Sequence, residues 1–516
     1  MKKITSLLAG ALLLVSASMS AQDAIVRIHE AGTGVTIPAE IYGQFSEHLG
    51  RCIYGGLWVG KDSKVPNIEG YRADVFNALK NLKVPVMRWP GGCFADDYHW
   101  MDGIGPQEKR AYISNNNWGG TLEDNSFGTH EFLNLCEMLG IEPYISGNVG
   151  SGSVEEMAKW VEYMTSDAKS TMADLRRQNG REKPWKVKYF GIGNEAWGCG
   201  GNMTPEYYSD LFRRYGTYLR NFNGNRLYKI ASGASDYDYN WTKVLMKNIG
   251  SGMKGISLHY YTTTGWNGSK GSALKFNDND YYWTLAKTIE VEDVIKKHIE
   301  IMDELDPQGR VDLLLDEWGT WFDEEPGTVR GHLYQQNTMR DAIVAALNFD
   351  IFHKYTRRLK MANVAQVVNV LQAMILTNET EMVLTPTYHV FEMYNVHQNA
   401  EYLETECITP RIKSTRGNSL PEVDATASRK DGEMHISLVN TDLKKEKKVL
   451  VAFDNASAVS KVLSARVLNS KDVHDYNDFG ANASKVAPKE FKNYKITKQG
   501  LEVVLPPCSV VAVAAK

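Results

Sequence analysis

The chain has 516 residues, 43% of them apolar and 23% charged, enough to bury at least one large core and too ordered in composition for disorder or a collagen-like repeat. Lys and Arg number 58 against 62 Asp and Glu, a net charge of −4 that argues against a partner held through phosphate backbones or anionic lipid. A neutral small molecule or polymer fits better, and 12 Trp and 26 Tyr suit either a sugar-stacking surface or a large aromatic core.

Lys2 and Lys3 precede an apolar run from Leu7 to Val15 and then small residues up to Ala21, the pattern of a cleaved signal peptide over residues 1–21. Export to the periplasm or medium is the expectation, and no other segment is apolar enough to cross a bilayer. Cys52, Cys93, Cys136, Cys199, Cys407 and Cys508 show no CxxC pairs and no dense scaffold, so buried free thiols are expected and a zinc site is not. Residues 22–40 read as strand that joins a later β-domain.

From residue 41 to 385 short β-branched runs alternate with amphipathic helical stretches. The expected strands are 41–45, 84–89, 142–147, 187–192, 227–232, 255–260, 311–315 and 364–370. Ser153 with Glu156 forms a capping box, and Thr204-Pro205 is an N-cap followed by a first-turn proline. Eight strand-plus-helix units predict an α/β fold, a closed (β/α)8 TIM barrel, with an open doubly wound sheet as the alternative. After Pro386 the pattern changes to short alternating runs with turns such as Asp431-Gly432 and no convincing long helix, which predicts a C-terminal all-β, jelly-roll-like sandwich over 386–516.

Functional residues of a parallel barrel sit at the C-terminal ends of its strands. After the fourth run comes Gly191-Ile192-Gly193-Asn194-Glu195-Ala196-Trp197, and after the seventh Asp316-Glu317-Trp318-Gly319. Carboxylates on the fourth and seventh strands face one another across the mouth, as two-carboxylate glycoside cleavage requires. A single strand-end Glu is more often a solvated or salt-bridged residue, so the pair carries the argument. The first of these stretches also matches G-x-G-x-x-A, but the next good helix start is Thr204 and a Glu in the turn would repel a pyrophosphate. Further strand ends supply Ser46-Glu47-His48, the glycine turn Arg88-Trp89-Pro90-Gly91-Gly92-Cys93-Phe94-Ala95-Asp96, His259-Tyr260-Tyr261, and Gln366 with Asn369. His48, His99, His259 and His332 have no metal-ligand spacing.

The run 42–56, the run 87–97, Gly193-Asn194-Glu195 and Asp316-Glu317-Trp318 together resemble the α-L-arabinofuranosidases of glycoside hydrolase family 51, over nearly the whole chain. The resemblance implies that Glu195 is the acid/base, Glu317 the nucleophile, and Asn194 a ligand of the glycone 2-hydroxyl. It implies further that Arg88 and Tyr261 orient the carboxylates and that Glu47 and Gln366 bind sugar hydroxyls. Cys93 stands where many members have Asn and others Cys, and is expected to be a reduced thiol lining the substrate site. Trp100, Trp118, Trp266 and Trp321 are candidates for stacking or shielding, with a core role equally open to each. The expected activity is a retaining exo-α-L-arabinofuranosidase acting on arabinose-containing plant polysaccharides or oligosaccharides. No cofactor, metal, nucleic acid or membrane is implied as a partner; homo-oligomers are frequent in the family. Another retaining glycosidase on the same barrel, an endo-β-glucanase or β-xylosidase, and a non-catalytic sugar-binding barrel are the alternatives.

Overall fold

The computed structural model describes residues 22–414, 417–455 and 458–516. The expected signal peptide lies outside them.

Eight parallel strands close into a barrel in chain order: Gly43–Phe45, Val86–Trp89, Glu142–Gly147, Tyr189–Ile192, Tyr228–Ser235, Gly255–Thr262, Asp312–Thr320 and Leu359–Ala365. The last pairs with the first, Asn363 opposite Gly43 and Ala365 opposite Phe45, so the sheet has no free edge and the doubly wound alternative is excluded. The eighth strand is displaced from the expected 364–370. Val367, Val368 and Val370 are buried, but in a turn: Asn369 and Leu371 have φ of 62° and 52°. The N–H groups of Val367, Asn369 and Leu371 go to the carbonyls of Phe45, Ile375 and Leu333. An apolar run is buried in either conformation, whereas the true strand carries Lys360 and Asn363, which break the apolar pattern.

One layer of the barrel interior is apolar, built from Val86, Tyr144, Tyr189, Ile230, Leu314 and Met361. Side chains on a strand return to the same face every second residue. Two residues further along, the same strands therefore present Arg88, Ser146, Ser232, Asp316 and Asn363, all buried, as a polar layer toward the C-terminal mouth. Outside, the helix Val291–Leu305 buries Val291, Val294, Ile295, His298 and Met302 at three- and four-residue spacing. Ser153 Oγ accepts the Glu156 N–H (3.1 Å) and Thr204 Oγ1 that of Tyr207 (3.3 Å), which start two further helices where the sequence places them.

A nine-residue helix, Pro386–Tyr394, opens the stretch in which no long helix is expected. All its residues except Glu392 are buried, so it has no amphipathic stripe to reveal it. Beyond it lie two mostly antiparallel sheets. One runs Thr405–Ile408, Ala24–Ile28, Lys447–Phe453, Gly500–Leu505, Tyr494–Thr497, so the N-terminal strand sits inside the C-terminal sheet and pairs in parallel with Lys447–Phe453. The other runs Glu401–Leu403, Val423–Lys430, Glu433–Asn440, Ser509–Ala515, Val462–Asn469, Lys489–Glu490. Val26, Leu403, Leu438, Val451, Val503 and Val511 fill the space between them.

Two histidines lie buried at the seam between barrel and sandwich. His353 bonds Tyr42 Oη (2.8 Å) and Thr426 Oγ1 (2.9 Å), and His397 bonds Ser428 Oγ (2.7 Å) and Ser437 Oγ (2.9 Å). Burial lowers His353 from the usual histidine range to about 3 and pushes His397 well down. A folded pKa below the unfolded one means that this stability is present above pH 6.5 and is lost as pH falls from there toward 3. At pH 5 His353 alone costs about 2 kcal/mol. The melting temperature should fall between pH 7 and pH 5, and less steeply in His353→Gln; equal slopes in the two proteins would refute this.

Candidate active site

Glu195 follows the fourth strand in a tight turn, with Gly193 at φ 85° and Glu195 itself at φ 41°. A left-handed non-glycine residue is strained and persists only where its surroundings over-determine it. Here the Gly193 N–H donates to Gly147 O (2.9 Å), the Ala196 N–H to Ser232 Oγ (3.1 Å), and Glu195 O accepts from the N–H groups of Gly198 (2.7 Å) and Gly200 (3.1 Å).

Glu317 reaches the site by a different device. Between Ser257 and His259 the sixth strand advances two residues while the seventh advances three, from Leu314 to Glu317, and the same extra residue recurs against the eighth strand. This β-bulge turns both Asp316 and Glu317 inward, where regular alternation would present only one.

Glu317 Oε1 accepts from Arg88 Nη1 (2.8 Å) and Oε2 from Tyr261 Oη (2.8 Å). His259 Nδ1 lies 2.8 Å from Glu195 Oε1 and 3.5 Å from Glu317 Oε2, and its Nε2 lies 3.2 Å from Asp316 Oδ1. One oxygen of each catalytic candidate and a His259 nitrogen thus fall within 4.8 Å of one another. Burial works against charge on His259, but Glu317, Asp316 and Glu195 overcome it and raise the imidazole to about 10. Arg88 is likewise held as a cation against its burial by Asp316 and Glu317, and it stacks over the Phe45 ring at 4.5 Å. Asp316, although buried, is held below the usual carboxylate range by Arg88 and His259 and by the Tyr144 hydroxyl (2.6 Å).

Arg88 Nη2 also donates to Asn194 Oδ1, while Asn194 Nδ2 is buried with no protein partner among the described residues. Glu47 Oε1 accepts from Phe94 N (2.9 Å) and Trp118 Nε1 (2.9 Å), and Oε2 from Gln366 Nε2 (3.2 Å). Burial, opposed by the Phe94 N–H and assisted by the Glu317 charge, pushes the Glu47 carboxyl up to about 8. The glycine turn makes this packing possible, since a Cβ on Gly92 would lie 2.9–3.0 Å from both Glu47 oxygens.

These groups line a cavity of ≈ 450 Å³ at the barrel mouth. Glu47, Cys93, Glu195, Tyr261, Glu317 and Gln366 face it, and Arg88 and Asn194 stand directly behind through their bonds to Glu317 and to each other. Trp118, Trp266 and Trp321 line the opening; Trp266 is 50% exposed and meets Trp321 edge to face at 5.3 Å. Trp100 is instead a core residue, its indole bonded to Glu156 O. Sequence reasoning missed Trp197, Ser235 and Asp236 in the lining. The last two escape because the fifth strand runs on to Ser235, past the expected end at 232.

Cys93 is not the reduced thiol expected. It is bonded to Cys199, 106 residues away, and its sulfur lies 3.9 Å and that of Cys199 3.5 Å from Glu195 Oε2. No local spacing announces such a pair, because the loops after the second and fourth strands meet only once the barrel closes. Cys52, Cys136, Cys407 and Cys508 are free.

Family models match residues 78–279, described as the α-L-arabinofuranosidase 1 domain, and residues 316–509, described as the α-L-arabinofuranosidase C-terminal domain. The chain is 62% identical over 511 residues, 99% of each chain, to a Bacteroides ovatus protein named intracellular exo-α-L-arabinofuranosidase. It is 30% identical to the α-L-arabinofuranosidase C of Emericella nidulans, over 84% of this chain and 87% of the other. Among solved structures, the family 51 arabinofuranosidase of Xanthomonas axonopodis pv. citri superposes with a TM-score of 0.93 at 45% identity, covering 96% of this chain and all of that one. The α-L-arabinofuranosidase of Thermotoga maritima gives 0.80 at 29% identity, covering 95% and 99%.

The Bacteroides ovatus relative also corrects the expectation of export, since so similar a chain, aligned over nearly its full length, is named intracellular. A short basic start followed by an apolar run is a pattern of composition, and it overrode nothing else in the sequence. With barrel, sandwich, carboxylate pair and full-length similarity in agreement, the chain belongs to glycoside hydrolase family 51 and is an α-L-arabinofuranosidase.

Proposed function

We propose that the enzyme is a retaining exo-α-L-arabinofuranosidase in which Glu317 is the nucleophile and Glu195 the acid/base, and that it removes terminal non-reducing arabinofuranosyl groups. The observation that carries this reading is the approach of a Glu195 oxygen to a Glu317 oxygen within 4.8 Å. Retaining pairs stand about 5–5.5 Å apart, whereas inverting pairs need about 6.5–9.5 Å to admit a water between carboxylate and sugar.

Arg88 and Tyr261 each donate to one Glu317 oxygen, which aims the carboxylate at the anomeric carbon. Glu195 gives its proton to the departing oxygen and later takes one from water. The His259 cation faces both carboxylates and offsets the charge they exchange through the cycle. Asn194, its oxygen occupied by Arg88, offers Nδ2 as a donor to the oxygen of the glycone 2-hydroxyl and so fixes the orientation of the ring. Glu47, protonated near neutral pH, can donate through Oε2 to a sugar hydroxyl as well as accept.

The intracellular name of the Bacteroides ovatus relative supports action inside the cell, on arabinose-containing oligosaccharides rather than intact polymer. The test is methanolysis of 4-nitrophenyl α-L-arabinofuranoside followed by proton NMR. Methyl α-L-arabinofuranoside is expected as the first product; the β anomer would overturn the retaining assignment. The matching β-D-xylopyranoside and β-D-glucopyranoside should turn over at least about 100-fold more slowly, as a site built around specific hydroxyl contacts rejects sugars that misplace them.

A further inference from the structure

We propose that Asp96 is a positioning residue for the acid/base turn, its buried carboxylate joining the loops that follow the second, third and fourth barrel strands and so setting where Asn194 and Glu195 stand. Asp96 ends the short helical turn Cys93–Asp96 and is 3% exposed. Its Oδ1 accepts the N–H groups of Val149 (2.8 Å) and Gly150 (2.9 Å), and its Oδ2 accepts that of Asn194 (3.0 Å). Its own carbonyl accepts from the Ser151 N–H (3.0 Å) and hydroxyl (2.8 Å).

No cationic side chain is paired with this carboxyl among the described residues, and burial pushes it up to about 7 against the opposing N–H groups of Val149, Asn194 and Gly150. A buried carboxylate is costly unless its hydrogen bonds are made, and a group that only filled space would not need to be one. Each of its three donors belongs to a strand-end loop, and the third is the N–H of the residue that immediately precedes Glu195. The backbone closes in from both sides: a Cβ on Gly150 would lie 2.9 Å from Asp96 Cβ, and one on Gly200 2.8 Å from Asp96 Oδ2 and 1.8 Å from Asn194 O. The Cys93–Cys199 bond joins the same second and fourth loops. The turn bearing Glu195 is therefore tied covalently after the glutamate and by the Asp96 hydrogen bond before it. Asp96 touches none of the groups that line the cavity through its carboxylate, so its effect on the reaction passes through Asn194 and Glu195.

The proposal rests on the acid/base role given to Glu195. Asp96→Asn is nearly isosteric, but whichever way the amide turns, its NH2 faces an N–H donor. In this variant kcat/KM for an unactivated arabinofuranosyl disaccharide should fall about 100-fold, the cost typical of a misplacement near 1 Å, and that for 2,4-dinitrophenyl α-L-arabinofuranoside by less than about tenfold. The disaccharide needs both the Asn194 contact and the Glu195 proton, whereas the dinitrophenyl glycoside needs only the first. Equal losses on the two substrates, or none, in a protein that melts cooperatively would overturn the proposal. Asp96→Ser, which leaves room for water among the three N–H groups, should show the same asymmetry and serves if the asparagine variant does not fold. In the unmutated enzyme the amides of Val149, Gly150 and Asn194 should exchange slowly with deuterium, and exchange at the rate of open loops would overturn the proposal without any variant. If Glu195→Ala itself shows no leaving-group discrimination, the role of Glu195 fails; if it does and Asp96→Asn does not, the positioning role alone fails.

Discussion

Glu317→Ala should lower turnover of every α-L-arabinofuranoside on the order of 10⁵-fold, whatever the leaving group, the scale seen when a nucleophile is removed from a covalent mechanism. No proton supplied elsewhere replaces the missing bond to the anomeric carbon, so a good leaving group is no remedy. The loss should appear in kcat, because Glu47, Gln366 and Asn194 remain to bind the glycone. The charge balance changes as well: Arg88 and His259 lose the carboxylate that faces both, and His259, raised to about 10 chiefly by Glu317, should titrate lower in the variant. Rates for 2,4-dinitrophenyl and methyl α-L-arabinofuranosides measure the effect. Residual activity on the activated substrate within about 100-fold of the unmutated enzyme would show that Glu317 is not the nucleophile.

Glu195→Ala should behave differently, because an acid is needed only where the leaving oxygen is basic. Unactivated substrates should lose about 10³- to 10⁴-fold, the upper range of general acid–base catalysis. Dinitrophenol needs no proton, so the first step should survive and release a burst of phenol equal to the enzyme present. The glycosyl-enzyme then accumulates, since nothing activates water against it. Azide, small enough for the space left by the carboxylate and needing no deprotonation, should speed its breakdown and yield α-L-arabinofuranosyl azide. Equal losses on both substrates with no response to azide would refute the assignment of Glu195.

Much of this molecule could be read from the order of its residues. The barrel is legible because seven of its strands are short apolar or β-branched runs that alternate with amphipathic helical stretches, two of which have recognisable starts at Ser153 and Thr204. Glu195 and Glu317 are legible because strand ends in a parallel barrel converge, which turns two separated carboxylates into a pair. The eighth strand is not, since Lys360 and Asn363 interrupt it while the buried turn at 367–370 imitates it. The helix Pro386–Tyr394 is hidden for the related reason that burial on all sides erases the period that marks a helix.

The sequence by itself determined the fold class, the two domain textures and the residues that carry the charge of the site, because these follow from local period and composition. Only the tertiary structure decided the bulge that turns both Asp316 and Glu317 inward, the His259 bridge between the carboxylates, the Cys93–Cys199 bond and the three N–H groups gathered on Asp96. Each of these joins elements far apart in the chain, and their geometry is set by the stagger at which eight strands close, which no single stretch of residues encodes.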